Sequence, residues 1–108
     1  MTKITFYQCE NGSFQGFDSH DHAGYDVEGQ DIVCSAVSAL VINFLNSLEE
    51  FTSDSYQVDV DEENARINVI FTEELSAEGS LLLRSLILGL TGIEEEHEQY
   101  LDVIFEEV

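Results

Sequence analysis

The sequence predicts an α+β fold: two helices packed on a largely antiparallel sheet, in the order ββαββαβ. Three observations carry this. Short segments in which apolar and polar residues alternate occur as two pairs, each pair joined by a polar turn, and once more near the C-terminus. Two longer segments instead repeat apolar residues at three- and four-residue steps. With 108 residues, 44% of them hydrophobic, the chain has enough apolar material for one core, so residues 1–108 are expected to form a single domain without disulfide staples.

Each element follows from its own pattern. Residues 3–9 alternate, with Ile4 and Phe6 on one face and Thr5 and Tyr7 on the other; Glu10, Asn11 and Gly12 turn the chain, and Phe14 and Phe17 resume it as a hairpin. Residues 19–30, with Gly24 and Gly29 and no apolar period, read as a loop. Asp31 suits an N-cap, and from Ile32 the residues Val33, Val37, Leu40, Val41, Phe44 and Leu48 recur with helical spacing to about Glu50. Cys34 and Ser38 sit one turn apart on the stripe beside this buried one. Tyr56, Val58 and Val60, a polar turn, and Ile67, Val69 and Phe71 form a second hairpin. Ser76 caps a second helix from Ala77 that is apolar on more than one face, hence either central or part of a subunit interface. Gly89 and Gly92 mark its end unless residues 93–96 prolong it. Leu101, Val103 and Phe105 alternate as the last strand.

Three Lys+Arg against 23 Asp+Glu give a formal net charge of −20, which disfavours direct binding to nucleic acid. Two readings of the charge stand side by side: a field that steers a basic protein to the surface, or simple colloidal solubility. The longest apolar stretch, residues 36–44, is interrupted by Ser38 and Asn43, so no membrane span is expected. The N-terminus turns polar within a few residues and resembles a first strand rather than a signal peptide, which leaves the cytoplasm as the expected compartment. Thiols stay reduced there, and two cysteines are too few for a disulfide framework. His20, His22 and His97 form no metal-ligand spacing with Cys9 or Cys34, so neither metal nor cofactor is expected; His20 and His22 joining Cys34 is the one metal arrangement the spacing leaves open.

The chemistry centres on Cys34, with His22 twelve residues upstream. A free cysteine is usually a small buried hydrophobe. If Asp31 is the N-cap, however, Cys34 is the third helical residue, where the helix dipole favours a thiolate and unpaired N–H groups can receive an oxyanion. Asp31 opposes the thiolate if it caps the Cys34 N–H, and assists it if it orients the histidine instead. His22 is preferred over His20 as the base because Ala23 and Gly24 follow it and let the loop fold back. His20 reads as a solvated loop residue, His97 as part of an acidic helix end, and Cys9 as a structural or half-exposed thiol. Ser38 either bonds back to a helical carbonyl or lines the site.

His22-Ala23, a glycine-bearing spacer, Asp31-Ile32-Val33-Cys34, then Val37-Ser38-Ala39, and residues 93–96 after the leucine-rich helix, together resemble the ribosomal-processing cysteine protease family, Prp. The resemblance covers nearly the whole chain. It implies a small α+β homodimer that removes the N-terminal extension of a basic large-subunit ribosomal protein, the twenty-seventh. Cys34 falls on the family's nucleophile, His22 on its general base, and Asp31 and Ser38 on supporting positions. Substrates with aromatic residues and then a small residue ahead of the cut imply an apolar groove near the Cys34 and Ser38 stripe. Asp21 stands where the family commonly has glycine. Two other classes compete: a non-catalytic acidic ribosome-assembly module that binds a basic ribosomal protein, and a thiol redox or metal-handling protein marked by a Cys9–Cys34 disulfide or bound metal.

Overall fold

The computed structural model of the chain describes residues 1–21 and 30–108, and within these the side chains of all but residues 21, 30 and 31. The element order is β1 (Thr2–Gln8), β2 (Phe14–Asp21), α1 (Gln30–Phe51), β3 (Tyr56–Asp61), β4 (Arg66–Phe71), α2 (Ala77–Glu96) and β5 (Leu101–Glu107). This is the predicted ββαββαβ. The strands form one sheet in the order β3-β4-β2-β1-β5. β1 and β5 run parallel while the other neighbours are antiparallel, so the sheet is mixed.

Alternation fixes which face of the sheet meets the helices. Ile4, Phe6, Phe17, Val69 and Leu101 are buried on that face, against Val33, Val37, Val41, Phe44 and Leu48 of α1 and Leu83, Leu86 and Leu90 of α2. Phe17 is the hub: its ring centroid lies 5.3 Å from Phe6, 5.8 Å from Phe44 and 6.3 Å from Phe71. The other face is open and polar. There Arg66 Nε and Asn68 Nδ2 donate to Asp18 Oδ1, at 2.8 and 3.2 Å, which gives the nearly buried carboxylate its partners. Gly16 is required by close packing, since a Cβ there would land on the Val69 carbonyl oxygen.

Three expectations need correction, and one alternative is decided. β2 runs on to Asp21, so Ser19 and His20 belong to a strand rather than a loop. Their polarity hid them, because an open sheet face and a groove rim do not demand apolar residues. α1 starts at Gln30, which puts Asp31 inside the first helical turn instead of at the N-cap. Of the two ends left open for α2 the longer holds: residues 93–96 prolong it past Gly89 and Gly92 to Glu96, and His97 caps it, its N–H donating to the Ile93 carbonyl at 2.9 Å. Gly89 serves packing, since a Cβ there would sit 3.1 Å from Leu40 Cδ1 of the antiparallel neighbour helix. Finally, residues Ile32–Phe51 are long and apolar enough, by length and composition, to cross a membrane. The inward stripe of this helix is instead buried on the sheet.

Ser76 does begin α2. Its Oγ accepts from the Gly79 N–H at 3.0 Å, while its own N–H and O–H donate to the Asp54 carboxylate, tying the α1–β3 connection to the helix start.

Candidate active site

Cys34 and Ser38 lie on the same side of α1, between the buried stripe of Val33 and Val37 and solvent, and both are half-buried. They form one wall of a groove of 260 Å³. Thr2 of β1 and Ser19 of β2 line its floor with Ile67 of β4, and Val37 continues the helical wall. Val60, Asp61 and Glu62, at the end of β3, and Ala65 and Arg66, entering β4, close the far side. The site is thus a thiol among the apolar side chains of Val37, Val60 and Ile67, the hydroxyls of Thr2, Ser19 and Ser38, and the acidic residues Asp61 and Glu62. A groove whose lining mixes apolar side chains with a few polar groups suits a peptide.

The helix start bears on the thiol. With Gln30 the first helical residue, Cys34 is the fifth, and α-helical pairing directs its N–H to the Gln30 carbonyl. The unpaired donors precede Val33. Cys34 therefore does not offer its own N–H to an oxyanion, and the dipole, strongest in the first turn, acts on it less than an Asp31 cap would have implied.

The turn facing Cys34 across the groove is held by its own hydrogen bonds. Asn64 donates to Asp61 through Nδ2 at 2.7 Å and through its backbone N–H at 3.2 Å. The side-chain bond, then the backbone bond, hold the Asp61 carboxyl below the usual aspartate range. Because the folded-state pKa is depressed, the stabilisation is present above the unfolded value and is lost as pH falls through the folded one. Asn64→Ala is expected to move the Asp61 midpoint up toward the ordinary aspartate value in an NMR titration of the side-chain carboxyl. An unmoved midpoint would contradict the assignment. Ala65, next in the turn, has φ 50°, a left-handed conformation unusual for a residue with a side chain.

The histidines are separated by the fold. His20 pairs in register with Lys3 and Arg66, on the face opposite Ser19 and the groove. His97 caps α2. His22 lies outside the described residues, and so does the side chain of Asp31. Asp21 ends β2 opposite Thr2 in an extended, paired backbone that any residue adopts, so aspartate meets no backbone obstacle there.

One competing chemistry loses its geometry. By register His20 lies on the sheet face opposite Ser19 and the Cys34 groove, while His22, the other histidine of the metal arrangement named above, lies outside the described residues. Among the described residues no three His, Cys, Asp or Glu side chains are placed to hold a metal ion. Cys9 follows β1 at the end opposite the groove, lining other hollows with Asn11 and Phe14. Seven strand residues from Thr2 to Cys9 span roughly 23 Å, far beyond disulfide reach of the groove.

Sequence reasoning found the Cys34 and Ser38 wall but not the strand residues opposite. Ser19, Asp61 and Glu62 carry no local motif, and only the β4-β2 pairing brings them to the helix.

The model of the family described as cysteine protease Prp matches residues 1–102. The ribosomal processing cysteine protease Prp of Bacillus subtilis is 26% identical over 107 residues, which are 95% of this chain and 96% of that protein. A crystal structure of an essential ribosomal processing protease Prp from S. aureus, in complex with a substrate peptide, superposes with a TM-score of 0.92 at 21% identity, covering 98% of this chain and 100% of that one. Another from S. aureus, in complex with a covalently linked product peptide, gives 0.88 at 22% identity over the same shares. Fold, thiol-bearing groove and the match over residues 1–102 agree, and the chain belongs to the Prp family of cysteine proteases.

Proposed function

We propose that this protein is a cysteine endopeptidase that removes the N-terminal extension of a basic large-subunit ribosomal protein, the twenty-seventh, in the cytoplasm, using Cys34 and His22. The observation that carries the reading is the placement of the half-buried Cys34 thiol, with Ser38, on the wall of an open groove that Val37, Val60 and Ile67 also line. The relatives are ribosomal processing cysteine proteases, two of their structures hold a substrate or a product peptide, and this supports the substrate class.

In this reading His22 takes the Cys34 proton as the thiolate attacks the scissile carbonyl carbon. The tetrahedral adduct collapses to a thioester, and the amine leaves with the proton from His22. The same imidazole then activates water, which splits the thioester and returns the thiol. Of the histidines, His22 is the candidate base because His20 faces away from the groove and His97 caps α2. Asp31, in the first turn of α1, assists by orienting His22 rather than by capping the helix. Ser38 hydrogen-bonds the bound peptide from the groove wall.

The homodimer belongs to the same proposal. Leu81 and Leu88 of α2 are 62% and 74% exposed and Ile42 of α1 is 52% exposed, so the outer face of the helix layer carries apolar side chains that a second copy would cover.

The deciding experiment incubates the protein with the extended N-terminal peptide of that ribosomal protein and identifies the products by mass. One cut at the end of the extension is expected; no cut at any pH between about 5 and 9, the range in which a thiol and imidazole titrate, would leave a non-catalytic acidic module as the surviving reading. The net charge of −20 adds a kinetic prediction. The value of kcat/KM for the basic substrate should fall roughly tenfold between low salt and about 0.5 M, as screening removes electrostatic steering. A salt-independent value would reject steering.

A further inference from the structure

The two edges of the sheet are finished differently. At the β5 edge, the outward Val103 N–H donates to the Glu94 carboxylate of α2 at 2.6 Å, so a helix side chain occupies a position another strand would need. At the β3 edge the register leaves the backbone open. The Thr72 N–H donates to the Ser55 carbonyl at 3.1 Å, marking that pair as hydrogen-bonded. An antiparallel ladder alternates, so Gln57, Asp59 and Asp61 bond inward to Ile70, Asn68 and Arg66. The N–H and C=O groups of Tyr56, Val58 and Val60 then point away from β4. Their side chains lie on the helix-side face, where Val58 is 39% and Val60 54% exposed, and Val60 also lines the Cys34 groove. On the other face Asp59 and Asp61 are exposed.

We propose that the substrate docks by adding a strand to the free edge of β3 and then turns across Val60 into the groove. This rests on the peptidase reading and names how the substrate is held. The occupant is an extended segment of the basic substrate. Its backbone bonds to Tyr56, Val58 and Val60, its apolar residues cover the two valines, and its alternate basic residues meet Asp59 and Asp61. Charge complementarity and continuity of Val60 with the groove favour this occupant over a second copy of the equally acidic edge.

The test reads binding of the fluorescently labelled extended peptide to Cys34→Ala protein, so docking is judged apart from cleavage. Val58→Pro removes one outward N–H and no ladder bond, a substitution that edge strands accept. Val58→Ala removes only the side chain. Proline is expected to weaken binding about tenfold or more and alanine less than about threefold, as loss of a main-chain bond differs from loss of partial apolar cover. A scan of peptides N-methylated at successive residues, on protein with native Val58, guards against misfolding of the proline variant. Loss of binding at every second position is the expected signature. Equal binding by the proline and alanine variants, or a scan without alternation, would overturn the docking mode while leaving the cleavage result untouched.

Discussion

Cys34→Ala is expected to lower hydrolysis of the extended ribosomal peptide by roughly 10⁴-fold or more, the scale of removing a nucleophile for which no other group substitutes. The protein should stay folded. Cys34 is half-buried beside, and not within, the Val33, Val37, Val41, Phe44 and Leu48 stripe, and alanine is the better helix former. A thermal melt within a few degrees of the parent would separate lost chemistry from lost structure. Peptide binding should persist, because the apolar lining of Val37, Val60 and Ile67 is untouched. Ser19 and Ser38 remain in the groove, but a hydroxyl ionises far less readily than a thiol and does not replace it. Retained cleavage by the alanine variant would sink the assignment of Cys34 as nucleophile. In a Cys9→Ala control, cleavage should be unaffected, since Cys9 sits at the far end of β1.

Phe17→Ala is the substitution with the largest expected cost in stability, about 3–5 kcal/mol. Phe17 has no exposure, and its ring touches the rings of Phe6 on β1, Phe44 on α1 and Phe71 at the end of β4. β1, β2 and β4 cannot shift to fill the void without breaking the sheet register, so much of the cavity would stay. For a domain of this size that is a fall in melting temperature of roughly 15 °C or more. Phe105→Ala, on the edge strand and 48% exposed, is the internal comparison and should cost less than half as much, because solvent already reaches the ring. Equal losses from the two, read by urea denaturation, would contradict Phe17 as the hub.

Local patterns carried much of the architecture. The strand alternations, the hairpin turn at Glu10, Asn11 and Gly12, and Ser76 as the cap of α2 were legible because each reflects chemistry between residues close in sequence. The misreadings have the same origin. Ser19 and His20 carry no apolar alternation, yet they extend β2 because Lys3, Ile4, Arg66 and Ile67 supply partners on both sides. Gly89 and Gly92 left the end of α2 open between two positions, and packing decides it: Gly89 lets Leu40 approach, and the helix runs on to Glu96.

What the sequence determined by itself was the element order, the inward stripe of α1, and the Cys34 and Ser38 pair with the family pattern that surrounds it. What only the tertiary structure decided was the opposite wall of the site. The strand order β3-β4-β2-β1-β5 carries Val60 and Glu62 to face Cys34, sends His20 to the far side of the sheet, and leaves β3 rather than β5 as the open edge. Side-chain periodicity records which face of an element is buried. Which elements become neighbours is set by pairing and packing across dozens of residues, and those contacts exist only once the sheet has formed.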